Sequence, residues 1–317
     1  MQIRALLGSL AVLGLSFTAT AAVVPKKGNQ VPGWYRINVG DFEVTALNDG
    51  IIDIETKLLK HTGTIEIEKG MKAAFIEPGA SVPTSVNAYL INTGSQLVLI
   101  DTGTAKAFGP KLGFVIENLK ASGYDPAQVD LVLLTHMHAD HINGLVTADG
   151  KLAFPNAKVM TTKPEAGFWM DAGTMAKSPK EMEPFFKMAQ AAAKPYVDAK
   201  KWVTFEPNAQ IIPGIKAMAT GHTPGHTSYV IESKGQKLIV MGDVIHVGSV
   251  QFEHPDVSIG YDVDDTGAIA SRKKLFQDAA KDRTLLAGAH LAFPGLGHVT
   301  AHQKGYVWTP VEFNPLH

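Results

Sequence analysis

Cysteine is absent from all 317 residues, which removes disulfide scaffolds, thiolate metal sites and cysteine nucleophiles from consideration. An excess of either charge is absent too. Lysine and arginine total 29 against 30 acidic residues, a formal net charge of -1, so there is no electrostatic footprint for nucleic acid or an anionic membrane surface. No internal repeat and no low-complexity linker divides the chain. Beyond the N-terminus no stretch approaches the roughly 20 apolar residues a membrane-spanning helix needs. What is present is ordinary globular material. With 45% hydrophobic residues, a chain of this length can bury roughly three quarters of the surface its unfolded form exposes, and needs no covalent staple.

The first residues read as an export signal rather than as part of the fold. Residues 1–4 carry one positive charge, residues 5–17 form an apolar run, and Ala19-Thr20-Ala21 gives the small-x-small pattern of a cleavage site. The run is too short for an anchor and is followed by Pro25, Lys26 and Lys27. Cleavage after Ala21 leaves residues 22–317 as a single exported domain, periplasmic or secreted.

Past the signal, short β-rich runs alternate with helical patterns. Residues 42–47, 87–92, 96–100, 130–135, 158–162, 229–232, 237–241 and 284–287 read as strands bounded by turn residues. Leu112, Val115, Ile116 and Leu119 recur at i, i+3, i+4 and i+7, one apolar helix face. Residues 178–194 and 266–281 are further helices, the first with Ser178 as N-cap before Pro179. The alternation predicts an α/β layered fold.

Chemistry gathers where strands stop. The apolar run 130–135 ends in His136-Met137-His138-Ala139-Asp140-His141, so three of the chain's 12 histidines and an aspartate fall within six residues. In an extended segment residues 136, 138 and 140 share one face, and a turn after Asp140 brings His141 alongside. Imidazole with carboxylate suits zinc and its first-row neighbours. One cluster does not close a metal site, but Gly221-His222-Thr223-Pro224-Gly225-His226, Met241-Gly242-Asp243 and Gly288-Ala289-His290 each follow an apolar run in a glycine-bearing turn.

This ordered set resembles the metallo-β-lactamase superfamily of dinuclear hydrolases, and the resemblance runs over about residues 40–300. It implies an αββα sandwich with two central sheets and the metals at one edge. It also implies a ligand set: His136, His138 and His222 on one divalent metal, Asp140, His141 and His290 on the other, and Asp243 bridging them. Asp101, in Ile100-Asp101-Thr102-Gly103, resembles the superfamily's early aspartate that supports the ligands. The Gly-His-Thr-x-Gly frame assigns the ligand to His222 and leaves His226 a supporting role. Zinc is expected, with Mn, Co or Fe also fitting N/O donors.

Within the superfamily, residues 221–299 are similar to the methyl parathion hydrolase group of exported lactone, ester and phosphotriester hydrolases. The likeness rests on His222-Thr-Pro-Gly-His-Thr-Ser-Tyr229, Val250-Gln-Phe252, Tyr261-Asp-Val-Asp264 and the segment from Ala289 to His298. It suggests an aromatic substrate pocket from Phe108, Trp169 and Phe185, whose bland alternative is core packing. His246, three residues after Asp243, departs from the apolar residue of phosphotriesterase members. It either faces the substrate, donating to a developing oxyanion or departing alkoxide, or orients a ligand carboxylate. Tyr261 is placed in the same pocket.

Two cations held close would lower the pKa of a bridging water from about 15.7 toward 7, so no separate strong base is needed. Asp140 and Asp243, with His246, are the expected catalytic groups, Asp243 accepting the proton. No Gly-x-Ser-x-Gly elbow supports a serine nucleophile. The expected activity is hydrolysis of small neutral lactones and aryl esters, with phosphotriester hydrolysis as the alternative and a non-catalytic periplasmic metal carrier as a distant third. Neither nucleic acid nor membrane is expected as a partner, and a homodimer is left open.

Overall fold

Residues 97–100 and 131–134 show how this sequence divides itself between layers. Leu97, Leu99, Val132 and Leu134 enter one apolar cluster, while Val98, Ile100, Leu131 and Leu133 enter another. Alternation in which both sets are apolar is what a central strand covered on both faces requires. The computed structural model describes residues 24–316, so the export-signal reading of residues 1–21 lies outside the described residues. Residues 24–31 are exposed and without regular structure, and Pro32–His317 form one compact unit.

Two seven-stranded sheets organise that unit. The first runs Trp34–Val39, Phe42–Glu55, Ser81–Asn92, Leu97–Ile100, Leu131–Leu133, Lys158–Thr162 and Trp202–Phe205 in spatial order. Its first four strands are antiparallel and its last four parallel, joined at Leu97–Ile100. The second runs Gly305–Pro310, Leu296–His302, Leu285–Ala287, Gln236–Val240, Thr227–Ser233, Ile215–Ala219 and Gln210–Ile212. It is antiparallel except between Leu285–Ala287 and Gln236–Val240.

One cluster lies between the sheets, with Val44, Tyr89, Ile100 and Leu133 from the first meeting Ile215, Tyr229, Leu238 and Leu296 from the second. The other face of the first sheet packs on Val115–Ala121, Lys163–Trp169 and Glu183–Asp198 through Leu119, Trp169, Phe186 and Ala189. The other face of the second packs on Asp265–Asp282 through Leu275, Phe276 and Ala279. This is the expected αββα sandwich. Leu99 is fully buried in the outer cluster of the first sheet, so Leu99→Ala should cost about 2–5 kcal/mol in urea unfolding. A loss below about 0.5 kcal/mol, ordinary for surface substitutions, would mean that layer is not packed.

Local expectations differ from the structure at identifiable places. The strand expected over 130–135 stops at Leu133, because Thr135 gives its N–H and hydroxyl to Asp101 at 2.8 Å each rather than to a neighbouring strand. The segment after it is not extended through 140. A helical turn, Ala139–Ile142, begins directly after His138 and brings Asp140 and His141 round by rotation. Ser178 is not an N-cap. Its hydroxyl donates back to the Thr174 carbonyl at 2.9 Å and closes the helix Ala172–Lys177, and the long helix starts only at Glu183 after a 3-10 turn.

Candidate metal centre

Five strand ends converge on one edge of the two sheets. Leu97–Ile100 delivers Asp101, Leu131–Leu133 delivers residues 136–141, and the second sheet supplies His222, Asp243 and His290 just past Ile215–Ala219, Gln236–Val240 and Leu285–Ala287. Strand ends feeding loops are where layered α/β folds keep ligands. The close approach of Gly242 is needed: its φ is 59°, and a Cβ there would fall 2.6 Å from His226 Nε2.

His136, His138, His222 and Asp243 form one group able to hold a metal ion, and Asp140, His141 and His290 another. Asp243 stands between them with its two oxygens divided. Oδ2 lies 3.5 Å from His136 Nε2 and 3.6 Å from His222 Nε2, while Oδ1 lies 3.1 Å from His141 Nε2 and 3.2 Å from His290 Nε2. Asp140 Oδ2 completes the second group, 3.5 Å from His141 Nε2 and 3.4 Å from His290 Nε2. His138 turns its Nδ1 to within 3.1 Å of His222 Nε2.

The outward nitrogens are held by acceptors, which fixes which nitrogen faces inward. His141 Nδ1 meets Asp101 Oδ2 at 2.9 Å, His222 Nδ1 meets Asp262 Oδ1 at 2.7 Å, and His290 Nδ1 meets the Ser85 carbonyl at 3.0 Å. His136 Nδ1 lies 3.1 Å from Thr135 Oγ1, whose own proton goes to Asp101. In their neutral forms all four rings therefore turn an unprotonated Nε2 to the centre. Asp101 holds a left-handed backbone, φ 61°, strain that a residue fixed by three hydrogen bonds can carry at a functional site. His226 accepts the Asp243 N–H at 3.0 Å and gives its Nδ1 proton to Thr220 Oγ1 at 2.7 Å, so it holds the backbone of Asp243.

His136 Nε2, His141 Nε2, Asp243 Oδ1 and both nitrogens of His246 are buried without a hydrogen-bond partner among the described residues. Leaving that many polar atoms dry is costly, and divalent cations between them would satisfy them; the donor set fits. Charges are arranged to match. Burial pushes the Asp243 carboxyl up, but His141, His290, His136 and His246 outweigh it and hold it well below the usual range. Asp140 is held down likewise, its burial outweighed by His141 and His290. Burial and the neighbouring His222 lower His138 to about 3, and burial lowers His136, His226 and His246. Burial opposes charge on His141 too, yet Asp243, Asp140 and Asp101 raise it well above normal. Burial is outweighed at His290 as well, where Asp243 and Asp140 raise it; a bound cation would displace the protons of those two rings, since imidazole ligates in its neutral form.

A cavity of about 340 Å³ opens over the cluster, with Asp140, Asp243, His246 and His290 at its floor. Phe108, Trp169, Phe185 and Tyr261 stand in its wall, so the structure brings every pocket residue read from the sequence to one place. Trp169 is also fully buried core, joined to Phe186 at 4.7 Å between ring centroids. His246 Nε2 lies 3.1 Å from Asp243 Oδ2, its ring stacked on His290 at 5.2 Å and 6.4 Å from Tyr261. Both sequence readings of His246 thus meet in one position, beside the carboxylate and on the cavity surface.

Asp262 was missed. It sits inside the quoted Tyr261-Asp-Val-Asp264 run, but its pairing partner His222 is 40 residues away. Its other oxygen accepts the Ile259 N–H at 3.0 Å. Asp262→Ala should weaken Zn²⁺ binding by about 10–100-fold, the usual effect of removing a histidine's carboxylate partner. Chelator competition would show it, and unchanged affinity would refute the assignment.

Residues 81–290 match the metallo-beta-lactamase superfamily, and the chain belongs to that superfamily. It is a metallo-β-lactamase-fold hydrolase by kinship. A solved structure described as the hydrolase AbOPH in the beta lactamase superfamily superposes with a TM-score of 0.86, at 40% identity, over 90% of this chain and 100% of that one. AidC, a dizinc quorum-quenching lactonase in complex with a product, superposes with a TM-score of 0.83, at 28% identity, over 89% and 99%. An N-acyl homoserine lactonase from a Bacillus species is 23% identical over 235 residues, 68% of this chain and 84% of the relative.

Proposed function

We propose that this protein is a dinuclear metal-dependent hydrolase of small neutral lactones and aryl esters. The observation that carries the reading is the cavity: carboxylate and imidazole at the floor, walls from Ile52, Ile54, Phe108, Trp169, Phe185 and Val263, and no lysine or arginine among the described residues that line it. An anionic substrate would find no lysine or arginine partner there, whereas an uncharged acyl or aryl group would be desolvated against apolar walls. AidC and the N-acyl homoserine lactonases support the lactone side of the reading.

His136, His138 and His222 would hold one divalent cation, Asp140, His141 and His290 the other, and Asp243 would serve both. When bound, the pair supplies Lewis acidity toward a carbonyl oxygen and an acidified water at neutral pH. Asp243, kept ionised by the four histidines around it, is placed to accept a proton. His246 is placed to orient that carboxylate and to meet a departing oxygen in the cavity. The apolar wall excludes bulk water around the reacting ester.

The test is turnover of a chromogenic aryl ester and an aromatic lactone by the mature protein. Chelator should abolish both activities and Zn²⁺ should restore them, with about two equivalents bound. Activity that survives complete metal removal would reject the proposal.

A further inference from the structure

Glu165 is fully buried, yet it has no part in any of the groups able to hold a metal ion. It sits in the first turn of the helix Lys163–Trp169, behind the N-cap Thr162. Its carboxylate takes four hydrogen bonds. Oε1 accepts the Met137 N–H at 2.9 Å and the Trp169 indole N–H at 2.7 Å; Oε2 accepts the Thr223 hydroxyl at 2.8 Å and the Gly225 N–H at 2.9 Å. Met137 lies between His136 and His138, and Thr223 follows His222. One carboxylate therefore joins the two loops that supply the histidines of the first metal pocket, and the indole that shares its Oε1 belongs to the cavity wall.

The packing around it leaves little freedom. A Cβ on Gly225 would fall 2.2 Å from the Glu165 nitrogen and 2.3 Å from Thr162 Oγ1, so the 222–226 turn lies directly on the start of this helix. Thr162 Oγ1 also donates to the Gly225 carbonyl at 2.7 Å. Burial pushes the Glu165 carboxyl up, against the pull of its four donors. Four donors aimed at an acceptor-only group are a specific demand: an amide of the same shape accepts two of them on its one oxygen and turns its own N–H groups toward the other two. A tie needed only to hold the helix would be local. This one reaches partners 28 and 60 residues away.

We propose that Glu165 is a positioning residue that sets the spacing between the His136/His138 loop and the His222 loop, and so the Zn²⁺ affinity of that pocket alone. The inference rests on the ligand assignment proposed above, and the experiment separates the two. Metal-free full-length protein is titrated with Zn²⁺ in competition with a chromogenic chelator, as the unmutated chain, Glu165→Gln and Thr223→Ala. Each is repeated in a His290→Ala background, where only the first pocket is complete.

Glu165→Gln should weaken one of the two equivalents by about 10–100-fold, the range for a lost supporting partner, and leave the other unchanged. The same loss should appear in the His290→Ala background. Thr223→Ala, which removes one donor and spares the carboxylate, should weaken the same equivalent by a smaller factor and keeps the test open if Glu165→Gln does not fold. Unchanged affinity in both variants, or equal loss from both pockets, overturns the inference while leaving the ligand assignment standing. An unmutated chain that takes up fewer than two equivalents overturns the assignment and the inference together.

Discussion

Asp243→Ala should lose at least one of two Zn²⁺ equivalents and about 10³-fold or more in kcat/KM toward an aromatic lactone, roughly 4 kcal/mol of transition-state stabilisation. Among the described residues its carboxylate is the one group whose oxygens divide between the two histidine sets. Without it, His136 and His222 on one side and His141 and His290 on the other share no anion, and the buried charge of two divalent cations is left with Asp140 alone as a direct carboxylate partner. Asp243→Asn is the sharper comparison, since it keeps the shape and the Asp243 N–H bond to His226 but not the charge. Metal content measured beside steady-state kinetics checks both variants. A variant with two metals and unimpaired turnover would remove Asp243 from the bridging position.

Discrimination between substrate classes is the second large effect. An ester or lactone carbonyl is planar until the transition state, whereas a phosphotriester is tetrahedral throughout and needs a wider floor. That floor is narrowed by His246, stacked on His290, with Tyr261 alongside. Kcat/KM for an aromatic lactone should exceed that for a dimethyl aryl phosphorothioate by at least about 100-fold, or roughly 2.7 kcal/mol. His246→Leu should narrow the gap from both ends, slowing the lactone by loss of the ring nitrogen beside Asp243 and admitting the triester. Equal turnover of the two classes by the unmutated enzyme would favour the phosphotriester reading, and unchanged lactone kinetics in His246→Leu would take the ring out of the reaction.

The residues gathered at the candidate site were legible because their pattern is local: three histidines and an aspartate within six residues after one apolar run, and His222, Asp243 and His290 each in a glycine-bearing turn after another. Their supports were less so. Asp101 was found through the resemblance, but Asp262 and Glu165 are ordinary carboxylates whose importance lies in partners 28 to 60 residues away, and no local pattern marks such a pairing. Strand ends failed for a different reason. The strand expected over 42–47 runs on to Glu55, because Asn48-Asp49-Gly50, by composition a turn, is a bulge: the register shifts there and Gly50 takes φ 132°. Asp49 is spent on the Thr104 N–H and hydroxyl and the Val115 N–H, a tertiary use that sequence spacing does not reveal. Edge strands such as Gln210–Ile212 and Gly305–Pro310 are short or half-exposed, and their alternation is too weak to stand out.

The first pocket takes His136 and His138 from the loop after one sheet, and His222 and Asp243 from loops after the other. A cation gripped there is a rivet between two halves of the molecule as well as a reagent. Whatever pulls the sheets apart must first release it, so the apolar seam between them is reinforced by a ligand whose contribution grows with its concentration in solution, about 1.4 kcal/mol for each tenfold above the dissociation constant. Durability then becomes a property that the surroundings can set: plentiful metal makes a robust enzyme, and scarcity makes a fragile one before it makes an inactive one.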